Sequence, residues 1–224
     1  MQTTNKMKVW DSATRIYHWV QALLVLLLWW SAENEWFGLH QMAAYVLASL
    51  LGARLVWAFV GSDTSRLSHF FHGPSTTIRL VRQGAPSVGH NPVSAYMIVL
   101  LWLLLLLQFC SGLMSSDDLS FEGPWYSLVP EWLQSLGGGW HHQGFDLLVI
   151  CIGVHVLAAV VHEVKGQRVI ASMVTGQKRH EPSVAINFVA AWRYWALVAL
   201  FAALFGYWQG AAVWASLQAD LALL

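Results

Sequence analysis

The sequence predicts an all-α integral membrane protein, built as a four-helix bundle with a fifth transmembrane helix at the C-terminal end. Hydrophobic residues make up 57% of the 224 residues and charged residues only 11%, whereas about a quarter of the residues in soluble domains are charged. Apolar stretches near the ~20 residues needed to cross a bilayer recur along the chain. Lysine and arginine are confined to alternate connections, a pattern typical of multi-pass membrane proteins.

The first two spans are expected to form an antiparallel hairpin. Span one covers about residues 16–31 and span two about residues 36–60, and only a short acidic stub separates them. So short a connection places consecutive helices side by side and antiparallel. The polar, basic residues before span one lead into an apolar run that is too long for a signal peptide and lacks a cleavage site. We expect the N-terminus to stay in the cytoplasm.

Spans three and four flank an acidic connection. Pro92 opens span three, which runs to about residue 114, because proline is tolerated in the first turn of a helix. Residues 115–139 contain aspartate and glutamate but no lysine or arginine. Their aromatic second half is expected to lie in the membrane interface. Span four covers residues 140–163.

A fifth span is expected over about residues 187–217, after a basic stretch that follows span four. We expect it to serve as a helix for partner docking or oligomerisation, or as a simple anchor. Lysine and arginine lie before span one, in the 61–91 loop, between spans four and five, or at helix ends that adjoin these segments. Because they mark cytoplasmic connections, the N-terminus is predicted inside and the C-terminus outside.

Span four carries several histidines, and their spacing distinguishes two of them. His141 and His155 are fourteen residues apart, which places them ~40° apart around the helix and ~21 Å apart along it. They share a face near opposite leaflets, so they cannot bind one metal ion. Each could bind its own haem if another helix supplied the second axial ligand. His142 diverges from His155 by about 140°.

The topology provides those second ligands. His18 lies in the first turns of span one and His155 late in span four, so both are expected on the cytoplasmic side. His40 and His141, at the starts of spans two and four, are expected on the outer side. Two haems held by these pairs would carry electrons across the membrane. No CxxCH motif is present, which excludes covalent c-type haem.

Several stretches together resemble a known family. The chain reads VWDSATRIYHW before span one, HQMAAY and ARLVWAFVGS on span two, and GHNPVSAYMIVLLW at span three, followed by the histidine pair of span four. This combination is similar to the prokaryotic cytochrome b561 family, which includes the b-type cytochrome subunits of nickel-iron hydrogenases. The resemblance covers about residues 8–175 and implies a four-helix di-haem transmembrane domain there. Residues 176–224 would then be a linker and the fifth helix.

The resemblance also implies cofactors and location. It implies two haem b groups per chain, bis-histidine ligation at the matching histidines, electron exchange with the quinone pool, and a bacterial inner membrane. The ligands carried over are His18, His40, His141 and His155.

Further residues near these ligands are candidates for the same site. His162, on the face of His155, is the alternate inner ligand, and His142 is the alternate outer ligand. Arg15 and Arg54 are candidates for bidentate contacts with haem propionates, although snorkelling to the membrane interface explains them equally well.

The expected function is electron transfer between quinol and a periplasmic redox protein such as a cytochrome c, whose basic surface would fit the acidic connection. A superoxide oxidase that reduces quinone is an alternative, but an acidic surface repels superoxide. A cytochrome b subunit of a hydrogenase or other dehydrogenase is a further alternative, and a homo- or hetero-oligomer is possible. A zinc transporter would need ligands closer together. The formal net charge of zero argues against a nucleic-acid partner.

Overall fold

The computed structural model describes residues 6–83, 92–117, 121–179 and 185–222. The first three residues of the GHNP motif lie outside these ranges. The main elements are β1 (Lys6–Lys8), α1 (Ser12–Glu33), α2 (Phe37–Val60), α3 (Leu67–Phe70), α4 (Pro74–Arg82), α5 (Pro92–Gly112), α6 (Glu131–His162), α7 (Val169–Thr175), β2 (Gln177–Arg179) and α8 (Trp192–Leu221). The two short strands were not expected from the sequence.

Within the described ranges, four helices are long and apolar enough to cross a membrane, namely α2, α5, α6 with its C-terminal extension, and α8. This confirms a mainly helical membrane protein. Helix α1 has 22 residues but does not reach the same hydropathy, since Arg15, His18 and Gln21 lie in its first half. The crossing of α1, and with it the count of five spans, stays a prediction.

The predicted boundaries differ most from the structure at α6 and α8. Helix α6 begins at Glu131, so part of the segment expected to lie in the interface belongs to the helix. Pro130 explains this start, because its carbonyl accepts the backbone N–H of Leu133 at 2.8 Å and Glu131 is favourably placed at the positive end of the helix dipole. Helix α8 runs over Trp192–Leu221, slightly later than the predicted range.

The chain divides into two compact units. The first contains residues 1–95 and 162–224, and the second contains residues 96–161. In the first unit, α2 packs against both α1 and α8. Its core joins Ala13 and Tyr17 of α1, three residues of α2, and Tyr194 of α8. The hydroxyl of Tyr194 donates to the carbonyl of Leu50 at 3.0 Å, so α8 is part of this core.

One end of the first unit holds most of its basic residues and is referred to below as the basic end (6–11, 61–83 and 163–179). Here β1 pairs antiparallel with β2. The backbone N–H groups of Val9 and Trp10 both donate to the carbonyl of Gly176, at 2.8 and 3.2 Å. The indole of Trp10 donates to Ser172 at 3.3 Å. These bonds tie the chain before α1 to the chain after α6.

Asp11 organises the basic end. One oxygen of its carboxylate accepts the backbone N–H of Thr14 at 2.6 Å, which is the usual N-cap contact. The other oxygen accepts the hydroxyl of Ser65 at 2.9 Å and the indole N–H of Trp57 at 3.3 Å. Asp11 is 2% exposed. A single buried carboxylate therefore joins the start of α1 to the end of α2 and the loop after it.

Acid should destabilise this end of the protein. Burial raises the pKa of Asp11, but the hydrogen bonds from Thr14, Ser62 and Ser65 together hold that pKa below its ordinary value. The resulting stability is present above the unfolded-state pKa of about 4 and is lost as the pH falls through the lower, folded-state pKa. We expect tryptophan fluorescence to report unfolding in that range, with a shallower acid dependence in Asp11→Asn. An identical acid profile in both proteins would contradict this role.

The second unit contains most of α5, most of α6 and the segment between them. Gly137 of α6 lies so close to Met114 that an added Cβ would be 2.9 Å from the Met114 Cβ. The connecting segment turns back on itself through hydrogen bonds from Gly123 N to Ser115 O and from Trp125 N to Leu113 O, each 2.8 Å. Close packing at Gly137 and this turn fix the contact between the end of α5 and the early part of α6.

Candidate functional site

His40 lies in the first turn of α2 and contacts the end of α1 through its imidazole. Its Nδ1 is 3.0 Å from the carbonyl oxygen of Leu28 and 3.2 Å from the hydroxyl of Ser31. A carbonyl oxygen only accepts hydrogen bonds, so Nδ1 carries the proton. The neutral ring then presents Nε2 as its ligand atom.

His141 of α6 has the same arrangement within the second unit. Its Nδ1 is 3.0 Å from the carbonyl oxygen of Gln108 on α5 and 3.3 Å from the hydroxyl of Ser111. The Gln108 side chain donates to the carbonyl oxygen of His141 at 2.6 Å. Helix α5 thus fixes both the ring and the backbone of His141, and Nε2 is again the ring nitrogen that can act as a ligand.

His142, the alternate outer ligand, is placed differently. Its side chain is exposed, whereas His141 is half-buried and held by α5. Its ring lies edge-on to His141, with centroids 6.2 Å apart. A ligand needs a ring held in one orientation by its second nitrogen. The geometry therefore favours His141 over His142.

Each unit holds a second candidate histidine well separated from the first. His18 is half-buried on α1, with its ring edge-on to Trp19 at 5.1 Å. It is ten residues before Leu28, the partner of His40, and hence ~15 Å away along α1. His155 is half-buried on α6, ~21 Å along that helix from His141.

His162, the alternate inner ligand, is the last residue of α6. It is half-buried, and its Nδ1 has no hydrogen-bond partner among the described residues. The helix changes to a π-type turn directly after it, over Glu163–Gln167. His162 therefore lacks the second-nitrogen acceptor that holds His40 and His141.

Arg15 and Arg54 both donate to backbone carbonyls of the first unit. Arg15 donates to the carbonyls of Met173 and Val174 at the end of α7. Arg54 is 2% exposed and donates to the carbonyl of Ser65 at 3.2 Å. These contacts give both side chains a role in the basic end, and their contact with haem propionates stays a prediction.

The histidines fit an iron porphyrin better than a protein-ligated metal ion. In the described ranges, no three His, Cys, Asp or Glu side chains gather into a metal-binding group. A bis-histidine haem instead takes one imidazole from each side, and a ligating histidine usually donates its second ring N–H to a fixed acceptor. His40 and His141 meet this requirement, each with a backbone carbonyl 3.0 Å from Nδ1.

Sequence reasoning did not find the residues that hold the ligands. Ser31 and His40 flank the short turn between α1 and α2, so their proximity could have been inferred from the hairpin. Asp11, which holds no ligand, is another residue that sequence reasoning missed. It precedes the run Ser-Ala-Thr, and an aspartate before a helix is a known N-cap signal. The contacts of Gln108 depend on the packing of α5 against α6, for which the sequence carries no signal.

The comparisons with known proteins point to one family. The model of the family described as prokaryotic cytochrome b561 matches residues 9–176. A probable Ni/Fe-hydrogenase B-type cytochrome subunit of Cupriavidus necator is 28% identical over 211 aligned positions, which cover 76% of this chain and 86% of that protein. A protein of the same description from Rhizobium leguminosarum bv. viciae is 26% identical over 211 positions, which cover 76% of this chain and 87% of that protein. No solved structure matches the chain.

Proposed function

This chain belongs to the prokaryotic cytochrome b561 family, and we propose that it carries electrons across a bacterial inner membrane through two haem b groups. Membership of a b-type cytochrome family implies haem b. The observation that best supports ligation by these histidines is the matched pair of contacts at His40 and His141, where a backbone carbonyl accepts the Nδ1 proton in each case. When bound, haem b accepts and releases one electron at its iron.

The proposed ligand pairs follow from the order of the helices along the chain. His18 pairs with His155 near the cytoplasmic face, and His40 pairs with His141 near the outer face. The ~15 Å along α1 and the ~21 Å along α6 support two separate haems. The chain's part is to hold each imidazole neutral and aimed, and to keep the haems in an apolar environment between helices.

Quinone is the proposed membrane partner, because the family resemblance implies electron exchange with the quinone pool.

The distribution of lysine and arginine supports a cytoplasmic N-terminus and a periplasmic C-terminus. The segment between α5 and α6 would then face the periplasm, where Glu122 and Glu131 are exposed. Asp117 turns inward to its own loop and accepts the backbone N–H of Phe121 at 2.7 Å. The exposed acids support a basic redox protein, such as a cytochrome c, as the outer partner.

Proteoliposomes test this function directly. With a quinol in the membrane and oxidised cytochrome c outside, we expect the protein to reduce the cytochrome faster than empty liposomes do. High salt should slow the reaction, because screening weakens charge-steered encounter. His142→Ala is the matched control and should keep the rate, whereas His141→Ala should lower it to that of empty liposomes. A rate equal to that of empty liposomes for the unmodified protein would contradict the proposed function.

A second candidate partner is supported by the relatives, whose names describe subunits of Ni/Fe hydrogenases. In that case the chain would exchange electrons between quinone and a membrane-bound enzyme. Native membranes would then show reduction of the haem by H₂, and the purified chain alone would not. Reduction by quinol and cytochrome c without any response to H₂ in native membranes would favour the first candidate.

A further inference from the structure

The start of α2 lacks a cap from its own sequence. The first backbone N–H groups of a helix have no partner within it. The N-cap residue Trp36 makes no side-chain cap hydrogen bond, and the first turn contains no acidic residue. This end, which is the turn that carries His40, therefore can take a cap from elsewhere in the chain.

Asp220 of α8 supplies that cap. One oxygen of its carboxylate accepts the backbone N–H of Leu39 at 2.9 Å, across 181 residues of sequence. Asp220 is 7% exposed, so the contact is shielded from water. A negative group at this position also complements the positive end of the helix dipole. Asp220 thus serves α2 as an N-cap residue would.

Close packing between the two helices sets the position of Asp220. An added Cβ on Gly38 would be 2.4 Å from the backbone nitrogen of Leu217, so only glycine permits the approach of α8 at this point. Further along, the ring of Tyr45 lies 5.3 Å from that of Phe205. Helix α8 follows α2 in the antiparallel direction and reaches its start at Asp220.

These contacts fix His40 from two sides. Helix α1 holds its imidazole through the carbonyl of Leu28. Helix α8 holds the backbone one residue before it through Asp220. The family match ends at residue 176, and α8 lies beyond it. Membership of the family therefore does not account for this second support.

We propose that Asp220 is a positioning residue for the His40 ligand, which makes α8 part of the haem-binding structure rather than an anchor alone. The proposal rests on the proposed function, because it requires His40 to ligate a haem. Loss of the Asp220 contact would loosen the first turn of α2 and shift the His40 ring relative to its acceptor on α1. The ring would then hold its haem less tightly and at a different angle.

The full-length protein tests this through haem transfer and electron paramagnetic resonance. We expect Asp220→Leu to release one of its two haems to excess apomyoglobin about 10- to 100-fold faster than the unmodified protein, the range found for partners that orient metal ligands. The low-spin ferric signal of that haem should shift, because it reports the angle between the two imidazoles. Asp220→Asn keeps an accepting oxygen, so its rate of haem release and its ferric signal should both stay close to those of the unmodified protein. Gln218→Leu, at an exposed position of the same turn, is the control.

Specific outcomes would overturn the proposal. Unchanged haem release and an unchanged signal in Asp220→Leu would do so, as would equal loss of both haems, since general unfolding predicts that result. Failure of Asp220→Asn to recover either property would exclude a role as hydrogen-bond acceptor. Gly38→Ala should reproduce the effect of Asp220→Leu by pushing α8 away. If His40→Ala kept both haems, the ligand assignment itself would fail, which separates the two proposals.

Discussion

Alanine at His40 or at His141 is expected to leave one haem b per chain instead of two, whereas alanine at the neighbouring His142 leaves both. His40 and His141 each present Nε2 while a carbonyl holds Nδ1. Removing either ring would take away one of the two protein ligands proposed for that haem. His142 is exposed and has no such support. The haem concentration of each purified variant, measured as the pyridine haemochrome and divided by the protein concentration, gives the number of haems per chain.

The same series tests the inner pair. His18→Ala and His155→Ala should each remove one haem and leave the other with an unchanged spectrum. His162→Ala should keep two, because His162 is the last residue of α6, whereas His155 lies within the helix at ~21 Å from His141. Loss of a haem in His162→Ala with retention of both in His155→Ala would make His162 the inner ligand instead of His155. Loss of a haem in His142→Ala but not in His141→Ala would make His142 the outer ligand instead of His141.

Removal of the Asp11 carboxylate is expected to cause a large loss of stability, because this one group caps α1 and accepts hydrogen bonds from the end of α2 and the loop after it. Asp11→Ala takes away the N-cap of α1, worth about 1 kcal/mol. It also leaves the buried indole N–H of Trp57 without its acceptor, at about 1–3 kcal/mol, whereas the hydroxyl of Ser65 can turn to that of Thr14 at 2.7 Å. The buried Arg54, which donates to the carbonyl of Ser65, loses a nearby negative charge as well. We expect a decrease of about 2–4 kcal/mol in the free energy of unfolding.

Denaturation of the detergent-solubilised protein, followed by tryptophan fluorescence, measures this effect. Asp11→Asn keeps one accepting oxygen, so its free energy of unfolding should decrease by less than half of the decrease in Asp11→Ala. Glu33→Ala, at an exposed position at the other end of α1, is the control and should change stability by less than about 0.5 kcal/mol. Equal stability of the Asp11→Ala and Glu33→Ala proteins would contradict the role given to Asp11.

Hydropathy located most of the helices because a bilayer demands long apolar stretches, and that demand is local in sequence. Hydropathy also identified the candidate ligands, because a histidine is rare within a long apolar stretch and marks a functional site there. Helix α1 shows the limit of this signal, because Arg15, His18 and Gln21 reduce the hydropathy of the half that carries a proposed ligand. The start of α6 at Glu131 was missed because its first turns are mixed in polarity.

Contacts between distant segments could not be predicted. The cap that Asp220 provides depends on α8 packing along α2, and the apolar faces of both helices would allow other neighbours. The pairing of β1 with β2 involves three residues on each side, too few for an alternating pattern to appear. In each case tertiary packing decides the contact, and a single sequence carries no trace of it.

The absorption spectrum and haem content of the purified full-length protein test the central claim most directly. The account predicts two haem b groups per chain, both low-spin and six-coordinate in the oxidised and the reduced states, with sharp α bands on reduction. A colourless preparation, or a single five-coordinate haem per chain, would contradict it.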